Sequence, residues 1–185
     1  WSQDQELNME HKGFPLSLKY KLGKWDVNTT TKKSDLTDKE IDVCAKCHSR
    51  RSQLDDNFTP GDKFSDHYLA VTLAENLYFP EGKIEDEVYV YDSFLQSKMY
   101  EKGVTCTDCH NPHTLNRRAE GDKVCFQCHQ TEKYTSTGHH FHKEGSTGSS
   151  CVSCHMPART YMGVDSRNDH SFRVPRPDLS VEMKE

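Results

Sequence analysis

Eight cysteines stand at positions 44, 47, 106, 109, 125, 128, 151 and 154, in four C-x-x-C pairs with none left over. A histidine follows each pair directly. The runs are Cys44-Ala45-Lys46-Cys47-His48, Cys106-Thr107-Asp108-Cys109-His110, Cys125-Phe126-Gln127-Cys128-His129 and Cys151-Val152-Ser153-Cys154-His155. C-x-x-C-H is the attachment signature of c-type haem. Two thiols at this spacing reach the two vinyl groups on one porphyrin edge, and the adjacent imidazole swings under the ring to the iron. A disulfide framework would not require a histidine after every pair, and structural zinc has no use for one there. Four c-type haems (haem c, iron) are the expected cofactors. Their thioethers would form at the eight cysteines, with His48, His110, His129 and His155 as proximal ligands.

Seven histidines remain for the opposite faces: His11, His67, His113, His139, His140, His142 and His170. His113 follows a motif in Cys109-His110-Asn111-Pro112-His113, cannot easily turn back onto its own haem, and suits a neighbouring one. His170 precedes Pro175 and Pro177, which stiffen its loop. In Gly138-His139-His140-Phe141-His142 at least one imidazole should bind iron; His142 is favoured, with His140 as its substitute. His67 stands in the long gap after the first motif. The expected distal ligands are therefore His67, His113, His142 and His170. His11 is expected at the surface or on a haem of a neighbouring chain. Met156, directly after the fourth proximal histidine, is sterically unsuited to the opposite face of that haem, and Met99 and Met162 read as packing residues rather than ligands.

The elements that must position these groups are sparse. Leu, Ile, Val and Phe number 33 of 185 residues, about 18%, and mean hydropathy is -0.91. Such a fraction falls in the range of disordered chains, but the net charge of -5 is too modest to match them. The haems are expected to supply the missing core, so that the polypeptide does not fold without them. The predicted fold is mainly α with extensive ordered loops and minimal strand, a small multihaem c-type cytochrome with a core built of haems. Thr37-Asp38-Lys39-Glu40 is a capping box that opens a helix through His48 to about Leu54. Leu69, Leu73 and Leu77 predict a helix over 66–77, Val88 to Tyr91 a short strand, and Asp92 or Ser93 the start of a helix stopped by Gly103. Residues 1–35 read as an N-terminal arm and 36–185 as a single tetrahaem domain, with three haems clustered within 100–175.

No stretch approaches the ~18 apolar residues of a membrane helix. Acidic and basic residues, 29 and 24, are interspersed without a basic stripe, which speaks against nucleic-acid binding. No signal peptide is visible, and the chain begins at Trp1, so a processed product or an excised piece is expected. Thioether attachment takes place outside the cytoplasm, so a periplasmic, cell-surface or extracellular protein is expected.

The run from Glu87 to Ser180 carries a resemblance. It includes Glu87-Val88-Tyr89-Val90-Tyr91, Ser93-Phe94-Leu95-Gln96-Ser97-Lys98-Met99-Tyr100, Gly103-Val104-Thr105-Cys106, His155-Met156-Pro157 and Arg167-Asn168-Asp169-His170-Ser171-Phe172-Arg173-Val174-Pro175-Arg176-Pro177-Asp178. Over roughly residues 40 to 180 the chain resembles bacterial multihaem cytochromes of the nitrifier tetrahaem-cytochrome superfamily, in particular modules that precede tetratricopeptide repeats. The resemblance implies mostly bis-His, low-spin, low-potential haems with closely stacked porphyrins. In that pattern His67, His113, the 139 to 142 cluster and His170 occupy recurring positions. The longer relatives usually carry a further C-x-x-C-H upstream, another after the Pro-Asp segment, and then the repeats, so an excised module or a dedicated short cytochrome is expected.

Electron transfer is the expected function, with redox proteins, chiefly other cytochromes, as partners. A domain of this length has a radius of gyration of about 16 Å, so four porphyrins must crowd together. The protein would tune each potential through ligands, burial and propionate pairing, for which Arg50, Arg51, Arg117, Arg118, Arg159, Arg173 and Arg176 are candidates. With one net negative charge added per ferric haem, -5 becomes roughly -9, which favours basic partner surfaces. One alternative is a homopolymer with haem-to-haem contacts between subunits, forming an extracellular conducting filament. A less favoured one is an oxidoreductase acting on a small nitrogen or sulfur compound, since no motif ends in lysine and histidines exceed the need. No catalytic residue is expected.

Overall fold

The first helix ends on the residue that closes the first motif. In the computed structural model, which describes residues 35–112, 114, 116–161 and 163–183, α1 spans Asp35–His48. Its buried Ile41 and Ala45 lie one turn apart, and so do Cys44 and His48, so the helix turns one stripe to protein and another to the motif. Ser49, also buried, closes the helix by donating from Oγ to the Ala45 carbonyl at 2.7 Å. The helix stops at His48 because β1 (Arg51–Gln53) then pairs antiparallel with β2 (Tyr68–Ala70), Arg51 opposite Ala70.

The helix predicted over 66–77 is only the single turn α2, Phe64–His67. Leu69 and Leu73, which suggested it, are 63% and 57% exposed. Phe64 and Tyr68 are buried in their place, stacked at 5.1 Å and packed with Phe58 against Ala45. The predicted strand at Val88 is absent as well. Tyr89 takes a left-handed φ of 64°, which breaks an extended run. Val88 is fully buried with Tyr78, Ile84 and Tyr161 in a second cluster.

The predicted helix after Asp92 is divided into α3 (Tyr91–Leu95) and α4 (Lys98–Glu101). Ser97 divides them because its side chain caps the second, accepting from the Tyr100 N–H at 3.0 Å. Gly103, at φ 82°, ends that turn as its sequence position suggests.

Beyond this point the elements are short. They are α5 (Cys106–Cys109), a 3-10 helix at Gly121–Gln127, α6 (Thr131–Tyr134), α7 (Thr137–His140), a 3-10 turn at Thr147–Ser149 and α8 (Cys151–His155). A hairpin follows, β3 (Ala158–Tyr161) with β4 (Asp165–Asn168), turning through Gly163 at φ 75°. It docks Tyr161 into the second cluster, and the Tyr161 hydroxyl donates to the Ile84 carbonyl at 3.4 Å. α9 (Pro177–Met183) opens on Pro177, whose missing N–H costs nothing at a first helical position.

Both hydrophobic clusters draw on residues 43–91 and on Tyr161. Among the described residues from 108 to 160, none is buried. Three of the four C-x-x-C-H motifs end in that stretch. The described chain there is short turns held by hydrogen bonds, most of them local. His11 and the rest of the arm lie outside the described residues, as does His113. Among the described residues no helix is long and apolar enough to cross a membrane.

Candidate functional site

Each motif sits on a turn of helix because helical spacing is what brings two cysteines and the next histidine to one side. α1 carries the first, α5 the second, the 3-10 helix at Gly121–Gln127 leads into the third, and α8 carries the fourth. α5 opens with a capping box in which the Asp108 carboxylate accepts from the Thr105 N–H at 2.8 Å. His110 then leaves the helix and bridges Arg117 across a tight loop, tied by Asn111 N–H to the Asn116 carbonyl at 2.8 Å.

No disulfide joins any of the eight cysteines. The Cys44 thiol lies against that of Cys106, and this contact, followed by burial, raises Cys106 well above the usual thiol range. Burial first, then the Asp108 carboxylate, pushes Cys109 up to about 12. Burial first, then Cys125, pushes Cys151 up to about 12. Cys125 and Cys128 are also raised, chiefly by burial.

The imidazoles come together in pairs. His110 and His170 have ring centroids 6.3 Å apart, tilted by 31°. His139 and His155 are stacked at 6.1 Å, 14° from parallel. Metal–nitrogen bonds of about 2 Å on opposite sides of one metal, with ~1 Å more to each ring centre, separate two imidazole centroids by roughly 6 Å. Each pair joins a histidine of a C-x-x-C-H run to one outside it.

The hydrogen bonds suit the same role. His170 Nδ1 is 2.8 Å from the Asn168 carbonyl, and His155 Nδ1 is 2.9 Å from the Arg173 carbonyl. A carbonyl fixes the proton on Nδ1 and leaves the Nε2 lone pair for a metal. Burial lowers His170, His110 and His129, with His48 and Arg117 adding to the effect on His110 and His155 to that on His129. Neutral imidazole is the ligating form. Among the described residues, no three His, Cys, Asp or Glu side chains converge as they would on a zinc ion. The donor set fits haem iron, with two imidazoles brought together at each of two motifs and the motif cysteines beside them.

His142, which the sequence favours in the 139 to 142 run, is not the ring stacked on a proximal histidine; that ring is His139. His142 lies against Gly148, where an added Cβ would sit 2.6 Å from its Cγ. His140 and His142 are also stacked, at 6.5 Å. Both nitrogens of His140 are engaged, however, Nε2 with the Thr135 carbonyl at 3.0 Å and Nδ1 with the His142 N–H at 3.1 Å. Phe141 between them takes a left-handed φ of 59°, capping α7 and turning His142 away from His139. Nothing in the local sequence marks His139, because a left-handed non-glycine residue is not legible from residue types.

His67 is turned to carboxylates, Nδ1 2.8 Å from Asp55 Oδ1 and Nε2 3.7 Å from Asp62 Oδ2, with Phe58 edge-on at 5.6 Å. His129 lies edge-on to Tyr134 at 5.5 Å. Several arginines offered by the sequence for propionates have protein partners. Arg173 donates to the Glu81 carbonyl and Gln96, and Arg118 to the Thr107 carbonyl. Arg176 grips Asp178 at 2.6 and 2.9 Å, and Arg50 reaches the Glu87 carbonyl at 3.2 Å. Arg51 and Arg159 each lie 4.6 Å over a ring, of Tyr68 and Phe79.

Three other residues take roles the sequence does not make plain; the helix begins at Asp35, ahead of the capping box expected at Thr37-Asp38-Lys39-Glu40, and Glu40 turns to another helix instead. Ser93, fully buried, donates to Asp169 Oδ1 at 2.9 Å and so ties α3 to the loop of His170. Glu40 and Asp122 accept from the backbone of other motifs' helices. A signal exists for the last two: an acidic residue four positions ahead of Cys44 and three ahead of Cys125, with none at those positions ahead of Cys106 or Cys151.

Comparison with known proteins bears on the motifs themselves. Residues 98–134 match the family model described as a doubled CXXCH motif. The chain is similar to the dissimilatory sulfite reductase MccA of Wolinella succinogenes, 28% identical over 83 residues that cover 31% of this chain and 11% of that protein. The chain thus spans a small part of that relative's length. No solved structure matches. Residues 98–134 carry the mark of multihaem c-type cytochromes, and the C-x-x-C-H runs indicate covalently bound c-type haem.

Proposed function

We propose that the chain is an electron-transfer protein carrying four covalent c-type haems, one at each C-x-x-C-H, and that it works in the periplasm or outside the cell. The observation that carries this reading is the imidazole pairing, His110 with His170 and His139 with His155, at the separation two axial ligands of one iron require. Bound haem supplies a one-electron ferric/ferrous couple. The chain's own residues hold and tune it. The cysteines would anchor it, the Asn168 and Arg173 carbonyls fix the tautomers of His170 and His155, and at those two centres the paired imidazoles would leave no room for a small molecule. His48 and His129 draw their opposite ligands from His67, His113 and His142. No described residue of the stretch 108–160 is buried, which supports a core made of porphyrin. An acidic holoprotein favours partners with basic surfaces, other cytochromes among them.

The intact mass of the denatured holoprotein and its reaction with carbon monoxide test the proposal. The expected mass exceeds that of the polypeptide by four haems, and the reduced protein binds less than about a tenth of an equivalent of carbon monoxide per haem. Fewer covalent haems would overturn it. The similarity to a protein named a sulfite reductase favours a second reading, an oxidoreductase acting on a sulfur oxyanion. A full equivalent of carbon monoxide per protein, with sulfite competing for the same position, would favour that reading.

A further inference from the structure

The four motifs meet in a pattern that repeats. Cys44 of the first lies against Cys106 of the second, and Cys125 of the third against Cys151 of the fourth. The helices follow suit, with α1 packed on α5 and the 3-10 helix at Gly121–Gln127 packed on α8. In both cases a carboxylate just ahead of the leading motif crosses to the trailing one. Glu40 Oε1 accepts from the Thr107 N–H at 2.9 Å, in the first turn of α5. Asp122 Oδ2 accepts from the Cys151 N–H at 3.1 Å, the first residue of α8, while its Oδ1 takes the Ser150 hydroxyl at 3.1 Å.

The first N–H groups of a helix have no partner within it, and a carboxylate beside them gains from their partial positive charge. Caps are ordinarily local. These two come from 67 and 29 positions away. α5 already has its local capping box from Thr105 and Asp108. Glu40 is nonetheless buried at 3% exposure. A buried carboxylate that cannot return to water holds its donor in one place, because leaving that bond unmade strands the charge. What Glu40 and Asp122 fix is the offset between two motif helices.

We propose that Glu40 and Asp122 are positioning residues that lock each leading motif to its trailing one, so that the chain is built as two like halves, residues 44–110 and 122–155, each presenting two haem attachment sites at a set offset. This rests on the reading that the motifs carry covalent haem. The halves cut across the doubled motif at 98–134, which joins the second and third motifs because they are neighbours in sequence. Those two belong to different halves, which meet where Cys109 lies near Cys125 and Cys128. The order of the motifs along the chain is then also their order in space.

The test uses the full holoprotein and five variants: Glu40→Ala, Glu40→Gln, Asp122→Ala, Asp122→Asn and the double alanine. Intact mass counts the haems, and Soret circular dichroism of the oxidised protein reads the coupling between the attached chromophores. All variants are expected to keep the parental haem count. Each single alanine should lose a similar share of the Soret couplet and the double alanine the sum of the two, leaving the part that arises where the halves meet, because separated sites add. The amides retain an acceptor oxygen, so Glu40→Gln and Asp122→Asn should retain the parental couplet. A parental couplet in both alanine variants would overturn the proposal, and so would an amide as damaged as its alanine. If an alanine variant loses haem, full loading in its amide counterpart supports the proposal and loss in both overturns it. A parent without covalent haem would instead overturn the reading beneath it.

Discussion

The imidazole rings of His139 and His155 lie 6.1 Å apart and 14° from parallel, and the two residues are joined by no hydrogen bond that would draw them together. His155 is fixed from behind by the Arg173 carbonyl. His139 is fixed by the end of α7, where His140 spends both its nitrogens on backbone. The two rings stand at about the separation that two imidazoles held by one metal ion would have, and each is fixed from its own side.

Removing one side should open that centre. Reduced His139→Ala holoprotein is expected to bind about one equivalent of carbon monoxide per protein. His140→Asn, which keeps polar atoms for the backbone, should bind as little as the parent. Parental behaviour in His139→Ala would remove His139 from the ligand set.

Ser93→Ala should weaken the tie between α3 and the loop of His170. The lost hydroxyl leaves Asp169 Oδ1 with only the Ser171 N–H of its two donors. An unmade bond to a half-buried carboxylate costs about 1–3 kcal/mol. Guanidinium unfolding of the oxidised protein measures it, and an unchanged midpoint would contradict the assignment.

Asp92 predicts a pH dependence. Burial raises its carboxyl above the ordinary 3.8, against the Tyr78 hydroxyl that donates to it at 3.3 Å. A raised folded pKa means the native state binds the proton more tightly than the unfolded chain. Stability from this group is therefore fully present below 3.8 and is lost as pH rises through the folded value. Asp92→Asn keeps an acceptor for Tyr78 and has no such loss. Its melting temperature should match the parent's at the acid end and exceed it at neutral pH. A constant difference across that range would show that ionisation of Asp92 is not the cause.

Val88 and Leu73 should differ sharply. Val88 is fully buried among Tyr78, Ile84 and Tyr161, so Val88→Ala should cost about 2 kcal/mol. Leu73 is 57% exposed, and Leu73→Ser should stay within about 0.5 kcal/mol of the parent. Denaturant titration of both variants checks the order.

Chain made without haem attachment should be cut by protease throughout 108–160, where no described residue is buried. The holoprotein should resist under the same conditions. Equal resistance in both forms would show that this segment holds itself together.

Residue types and spacing alone determined the chemistry. Four C-x-x-C-H runs name the cofactor's anchors, and a shortage of aliphatic residues sets the expectation that haem supplies part of the core. These are local facts, readable because thioether formation and the proximal ligand use residues adjacent in sequence. Gly103 as a helix stop is local in the same sense. Other elements were misjudged for a physical reason. Leu69, Leu73 and Leu77 have helical spacing, but the aromatic pair Phe64 and Tyr68 takes the buried positions, and pairing of Arg51–Gln53 with Tyr68–Ala70 pulls that segment into a strand.

Tertiary structure decided the partnerships. Which imidazole faces which depends on a left-handed Phe141, on two backbone carbonyls and on Asp169 gripping Ser93 from 76 positions away. Which motif lies against which depends on Glu40 and Asp122 crossing between helices. None of these interactions has a fixed sequence spacing, because a hydrogen bond between distant segments is set by how the chain turns between them.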